Sequence, residues 1–184
     1  MFMSKILILG SGTSNDSKNN LLANFTHKYL VENKIVSYLF TNLYSDIPFL
    51  LERESQVPKN IIEIRDSLKS CNKVLIFSPV FNGGYLAHLK NTLDWLSLSF
   101  EGFEYNQLFK NKYVKIVSAV NGSGGNAQKA FDILKLQLEN YGFNVDSNFL
   151  LINKNDYLNN ELILESNQEL VSKLQNHINL FLTR

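Results

Sequence analysis

Residues Val74–Trp95 read VLIFSPVFNGGYLAHLKNTLDW, and this stretch decides the fold. It opens as an apolar run, Val74, Leu75, Ile76 and Phe77, with the β-branched and aromatic residues of a buried strand. It then breaks at Ser78-Pro79 into a loop holding Asn82, Gly83 and Gly84. A helix follows, because Leu86, Leu89, Leu93 and Leu96 recur along one helical face, while Lys90, Asn91 and Asp94 point elsewhere. Strand, glycine loop and helix in succession set exposed backbone N–H groups at the carboxyl edge of a sheet, where open α/β folds bind ligands.

The same unit recurs on both sides. Upstream, Lys5 to Leu9 is a buried-strand candidate, followed by the hydroxyl-rich loop Gly10 to Ser17 and a helix over Asn19 to Val31. Hydroxyls and main-chain N–H groups at a helix N-terminus suit a phosphate monoester, since orphan N–H groups and the macrodipole both favour an anion there; a polar turn with an N-cap is the plainer alternative. A dinucleotide fingerprint would want glycine at Asn15 and an acidic residue closing the second strand, but that strand, Ile35 to Phe40, runs into Thr41-Asn42. A P-loop would want Gly-Lys-Ser/Thr, which is absent. A mononucleotide phosphate is the ligand that fits.

Asn42 to Pro58 lacks periodicity and reads as a surface connection, with Pro58 in the first turn of a helix through Ile61, Ile64 and Leu68. Downstream of Trp95, the aromatics Phe100, Phe103, Tyr105 and Phe109 predict local core or a subunit contact, and less often a lid. Tyr113 to Val120 is a further buried strand ending in Asn121-Gly122-Ser123-Gly124-Gly125, before a helix capped at Gly142. A strand near Phe143 to Ile152 and a helix from Glu161 to Phe181 complete the chain. Five strands alternating with five helices predict one three-layer α/β domain over residues 1–184, with a parallel sheet. In a flavodoxin-like order, 2-1-3-4-5, the loops after the first, third and fourth strands converge on one edge.

With 184 residues, such a domain buries roughly 70% of its unfolded surface without staples. The single Cys71 excludes a disulfide framework and reads as a small buried residue. A net charge of +1 with interspersed signs offers no basic stripe, so nucleic acid is not suggested as a partner. No run approaches the roughly 18 apolar residues of a membrane span, and Ile6 to Leu9 is too short for a signal peptide core. These features place the protein in the cytoplasm. His27, His88 and His177 lie far apart without ligand spacing, so no metal is expected; His27 and His177 read as surface residues, and His88 is the one best placed to touch substrate.

Pro79-Val80-Phe81-Asn82-Gly83-Gly84-Tyr85-Leu86-Ala87-His88-Leu89-Lys90-Asn91-Thr92-Leu93-Asp94-Trp95 resembles the signature of the NADPH-dependent FMN reductases of the flavodoxin-like superfamily, Pro-x-aromatic-Asn-Gly-Ser-x-Pro-Gly-x-Leu-Lys-Asn-x-x-Asp-Trp. Gly10-Ser11 and Ser118 to Gly125 are similar to that family's other two loops. The resemblance implies that Ser11, Thr13, Ser17 and Asn19 hold the FMN phosphate, that Pro79, Val80, Phe81, Asn82 and Gly83 line the isoalloxazine, and that Ser118, Asn121, Gly122 and Gly125 close its other side. It also implies ping-pong chemistry, in which a hydride passes from NAD(P)H to flavin N5 and on to a quinone, azo or flavin acceptor, with no catalytic side chain. A homodimer or dimer of dimers is implied too, with the aromatics from Trp95 to Phe109 in its interface. The chain departs from the family at Leu86 and Ala87, where proline and glycine are usual, and near Thr13, where no arginine stands. Two other readings compete: a flavodoxin-type electron carrier, which the near-neutral charge disfavours, and a flavin-free interaction protein that keeps the fold.

Overall fold

The structure, a computed structural model, describes residues 5–14, 16–52, 56–159 and 161–183. Asn15, within the first glycine loop, lies outside the described residues. The elements run β1 (Ile6–Gly10), α1 (Lys18–Glu32), β2 (Ser37–Phe40), α2 (Leu43–Asp46), α3 (Lys59–Ser70), β3 (Lys73–Phe77), α4 (Ala87–Ser97), β4 (Tyr113–Ala119), α5 (Ala127–Tyr141), β5 (Asn144–Val145), β6 (Leu150–Ile152) and α6 (Gln168–Leu182). All pairings are parallel in the order β2-β1-β3-β4-β5, with β6 beside the far half of β4, so the flavodoxin-like sheet predicted from sequence is the one observed.

Strand alternation builds two cores. Leu7, Leu9, Val74, Ile76, Val114 and Ile116 face α3, α4 and α5, and Ile6, Ile8, Leu75, Phe77 and Val117 face α1 and α6. Cys71 is buried in the first core, and burial pushes its thiol up, which makes it inert as a nucleophile. Among the described residues, no helix is long and apolar enough to cross a membrane.

Several expectations need correction. The predicted strand Phe143 to Ile152 is two strands, because Asp146 turns inward between them. Its Oδ2 meets Lys115 Nζ at 2.6 Å while Oδ1 accepts the Asn148 N–H at 3.0 Å, an Asx turn that interrupts pairing. Both members of this ion pair are buried, and Lys115 was invisible to strand reading because it sits inside an apolar run. The closing helix starts at Gln168 rather than near Glu161, since the Asn167 side chain accepts the Leu170 N–H at 3.0 Å and caps it there. The connection expected to be irregular contains the short α2.

Much of the aromatic segment packs within the chain. Trp95 and Phe109 are buried within the chain, and Phe100 and Phe103 stack at 5.3 Å with the Arg65 guanidinium 3.4 Å from the Phe100 centroid. Only Tyr105 of these aromatics is exposed, at 54%. Asn91, expected to point outward, is buried instead: its Nδ2 donates to the Pro48 carbonyl at 2.9 Å and its Oδ1 accepts the Leu50 N–H at 2.8 Å. Trp95 Nε1 donates to the same Pro48 carbonyl at 2.8 Å, so the α4 motif ties down the β2–α3 connection.

His177 is half-buried rather than exposed. Its Nε2 is buried with no hydrogen-bond partner among the described residues, and desolvation, reinforced by the Lys115 ammonium, pushes it down to about 4 from 6.5. The unfolded chain takes up this proton near pH 6.5 and the folded chain only near pH 4, so stability falls as pH drops through that interval. Thermal melts between pH 7 and pH 4 are expected to show a shallower decline for His177→Gln than for the wild type. Equal slopes would assign the acid sensitivity to other groups.

Candidate functional site

The parallel order sends the turns after β1, β3 and β4 to one edge, where they enclose a cavity of about 650 Å³.

The first turn is held by the paired asparagines opening α1. Asn20 is buried and serves as a hub: its Oδ1 accepts the Gly12 N–H at 2.9 Å, and its Nδ2 donates to the carbonyls of Ser14 at 2.9 Å, Thr41 at 3.2 Å and Gly12 at 3.3 Å. Asn19 bridges to the third turn, with Nδ2 donating to the Ala119 carbonyl at 3.0 Å and Oδ1 accepting the Ala119 N–H at 2.9 Å. Glycine is required at residue 12, because a Cβ there would lie 1.9 Å from Ser17 Oγ.

The second turn is a two-residue hairpin. Phe81 and Gly84 exchange N–H···O bonds of 2.9 Å, with Asn82 at φ 51° and Gly83 at φ 78°. Positive φ at both central positions is the type I′ pattern, for which Asn-Gly is the favoured pair. The Asn82-Gly83 signal thus has a backbone cause independent of any ligand. The turn presents Phe81, 52% exposed, at the cavity rim. The third turn runs from Val120 to Asn126, and a Cβ built on Gly122 or Gly125 would meet nothing within 4 Å, leaving open space at both.

Of the residues singled out from sequence, Thr13, Ser17, Asn19, Pro79, Val80, Phe81, Asn82, Gly83, Asn121, Gly122 and Gly125 surround this cavity. Ser11 and Ser118 do not. Ser11 continues the ladder one residue past β1: its N–H and its hydroxyl both reach the Phe77 carbonyl, at 2.9 Å and 3.1 Å. Ser118 is buried behind Pro79 and Val80 with its hydroxyl unpartnered among the described residues. Asn19 contributes main chain only, since both ends of its amide are engaged. His88 does not line the cavity; its ring lies 5.6 Å from Phe49 and 6.4 Å from Tyr44.

Sequence reading missed Asn20 and Lys18. Two polar residues interrupting the buried face of a helix are the signal that could have found Asn20. Lys18 and Asp16 are the charged side chains lining the cavity, and among the described residues no group of three or more His, Cys, Asp or Glu could hold a metal ion.

The family described as NADPH-dependent FMN reductase matches residues 4–155, a span that contains all three turns. The chain belongs to this family. The chain is 26% identical over 127 residues, 68% of its length, to the NADH:(hydroxy)cinnamate reductase subunit CrdA of Vibrio ruber, and spans only 58% of that protein. Among solved structures it resembles FerB, a flavoenzyme NAD(P)H:(acceptor) oxidoreductase from Paracoccus denitrificans, with a TM-score of 0.74 at 22% identity over 98% of this chain and 96% of that one. It also resembles the apo form of the NADH:FMN oxidoreductase EMOB, with a TM-score of 0.76 at 17% identity over 98% and 89% of the two chains. At these identities the structural likeness speaks to the fold.

Proposed function

We propose that the cavity binds FMN and that the chain passes electrons from NAD(P)H through it to a small-molecule acceptor of quinone, azo or flavin type by a ping-pong route. The observation that carries this reading is the convergence of a hydroxyl-rich turn at a helix N-terminus with two turns whose small residues leave a flat cleft. The space beside Gly122 and Gly125 is open, which leaves room for a ring system to approach the backbone there.

In this assignment Thr13, Ser17 and the N–H groups opening α1 hold the phosphate. Pro79 to Gly83 and Asn121 to Gly125 hold the ring, while Ser11 and Ser118 act from behind as part of the frame. Bound flavin supplies the hydride-accepting and electron-donating chemistry, so the side chains only bind, orient and exclude water. A homodimer in the cytoplasm belongs to the same proposal, with the buried Trp95 and Phe109 removed from its interface.

One experiment tests the reading. The purified protein is mixed with FMN, its visible spectrum is recorded, and NADPH is added without oxygen. Binding followed by bleaching of the flavin band is the expected result. Bound flavin that NADPH leaves unbleached would make the chain a carrier, and failure to bind FMN would remove both assignments.

A further inference from the structure

The cavity has a cation of its own, on a support built from outside the segment the family match covers. Lys18 lines the cavity beside Thr13 and Ser17, and among the described residues no ion pair involves it. Its ammonium lies 5.3 Å from the centroid of the Tyr157 ring. Tyr157 is itself fixed: the ring is buried at 9% exposure, and the hydroxyl donates to the Val120 carbonyl at 2.6 Å, where the third turn begins. Burial pushes this phenol up to about 12, so it stays a neutral donor throughout the working range. A lysine side chain otherwise has wide rotamer freedom, and a fixed aromatic face under the ammonium reduces what is lost on binding. Asp16 stands exposed on the same rim and repels an anion, so a phosphate dianion placed here needs a counter-charge, and Lys18 is the cationic side chain among those lining the cavity.

Building on the FMN reading above, we propose that Lys18, steadied by Tyr157, is the specificity-determining residue that reads the terminal phosphate monoester and selects FMN over riboflavin. Tyr157 is a positioning residue in this scheme and touches no ligand.

Flavin fluorescence quenching, titrated separately with FMN and riboflavin, tests it on the whole chain. The wild type is expected to prefer FMN, with an affinity that weakens as sodium chloride is raised, while riboflavin binding is insensitive to salt. Lys18→Met should weaken FMN about 10- to 100-fold, the size of a lost charge-assisted hydrogen bond, and leave riboflavin within about twofold. Lys18→Arg should restore most of the preference. Tyr157→Leu should reduce the FMN-to-riboflavin ratio about threefold or more, a readout that a general loss of stability does not move selectively. Unchanged FMN affinity in Lys18→Met, or an equal loss for both flavins, overturns the role of Lys18. An unchanged ratio in Tyr157→Leu overturns the support. If the wild type binds riboflavin as tightly as FMN, the flavin reading stands and this proposal fails; if it binds neither, both fail.

Discussion

Replacing Asn20 with leucine, a side chain of similar size, is expected to cost about 3–5 kcal/mol of stability and to weaken FMN binding at least about a hundredfold. Asn20 satisfies the Gly12 N–H and donates to three carbonyls from two chain segments, the turn after β1 and the end of β2 at Thr41. Leucine leaves the buried Gly12 N–H and carbonyl unpaired, each at a cost of about 1–3 kcal/mol before relaxation, and releases the half-buried Ser14 and Thr41 carbonyls as well. The surroundings admit little relaxation, because a Cβ added at Gly10 would already lie 2.8 Å from Asn20 Oδ1. Urea denaturation gives the first quantity and fluorescence titration the second. A variant that unfolds normally and binds FMN as the wild type does would show that Ser17 and the hydroxyl-bearing residues shape the turn unaided.

Asp146→Ala is expected to destabilise the chain by about 3–5 kcal/mol without a specific effect on flavin affinity. The Lys115–Asp146 side chains are 2% and 3% exposed, so removing the carboxylate leaves an ammonium in a medium that opposes its charge. The Asx turn separating β5 from β6 is lost with it. The double variant Lys115→Met, Asp146→Ala should recover much of the loss, because the penalty lies in burying a charge whose carboxylate has been removed more than in the broken attraction. Urea unfolding of the single and double variants makes the cycle; strictly additive losses would rule out that account.

The sheet was legible because its determinants are local. Val74–Phe77 and Ile6–Leu9 are apolar throughout, as strands covered on both faces must be, and each is followed at once by a glycine turn. The candidate site was legible to the extent that turns declare themselves by composition. What escaped was long-range and polar. Nothing within Val114–Ala119 announces that Lys115 meets a carboxylate 31 residues later, and nothing near His177 announces its burial. Ser11 stands off the cavity for a related reason: a serine ending a strand can face the ligand or extend the ladder, and the choice depends on the Phe77 carbonyl, 66 residues away.

The Pro48 carbonyl, gripped by Asn91 and Trp95 together, and the Leu50 N–H, accepted by Asn91, make a pivot for the β2–α3 connection on α4. Beyond that pivot Phe49 and Leu51 stand 58% and 87% exposed. Side chains this exposed beside a backbone so firmly held behave as an exchangeable surface: Leu51 can be replaced while the contacts that hold α4 stay intact. The Lys-Asn-x-x-Asp-Trp run is then a socket into which different connections can be plugged, and the sequence that varies most freely among chains of this fold is expected to lie just past the residue it holds.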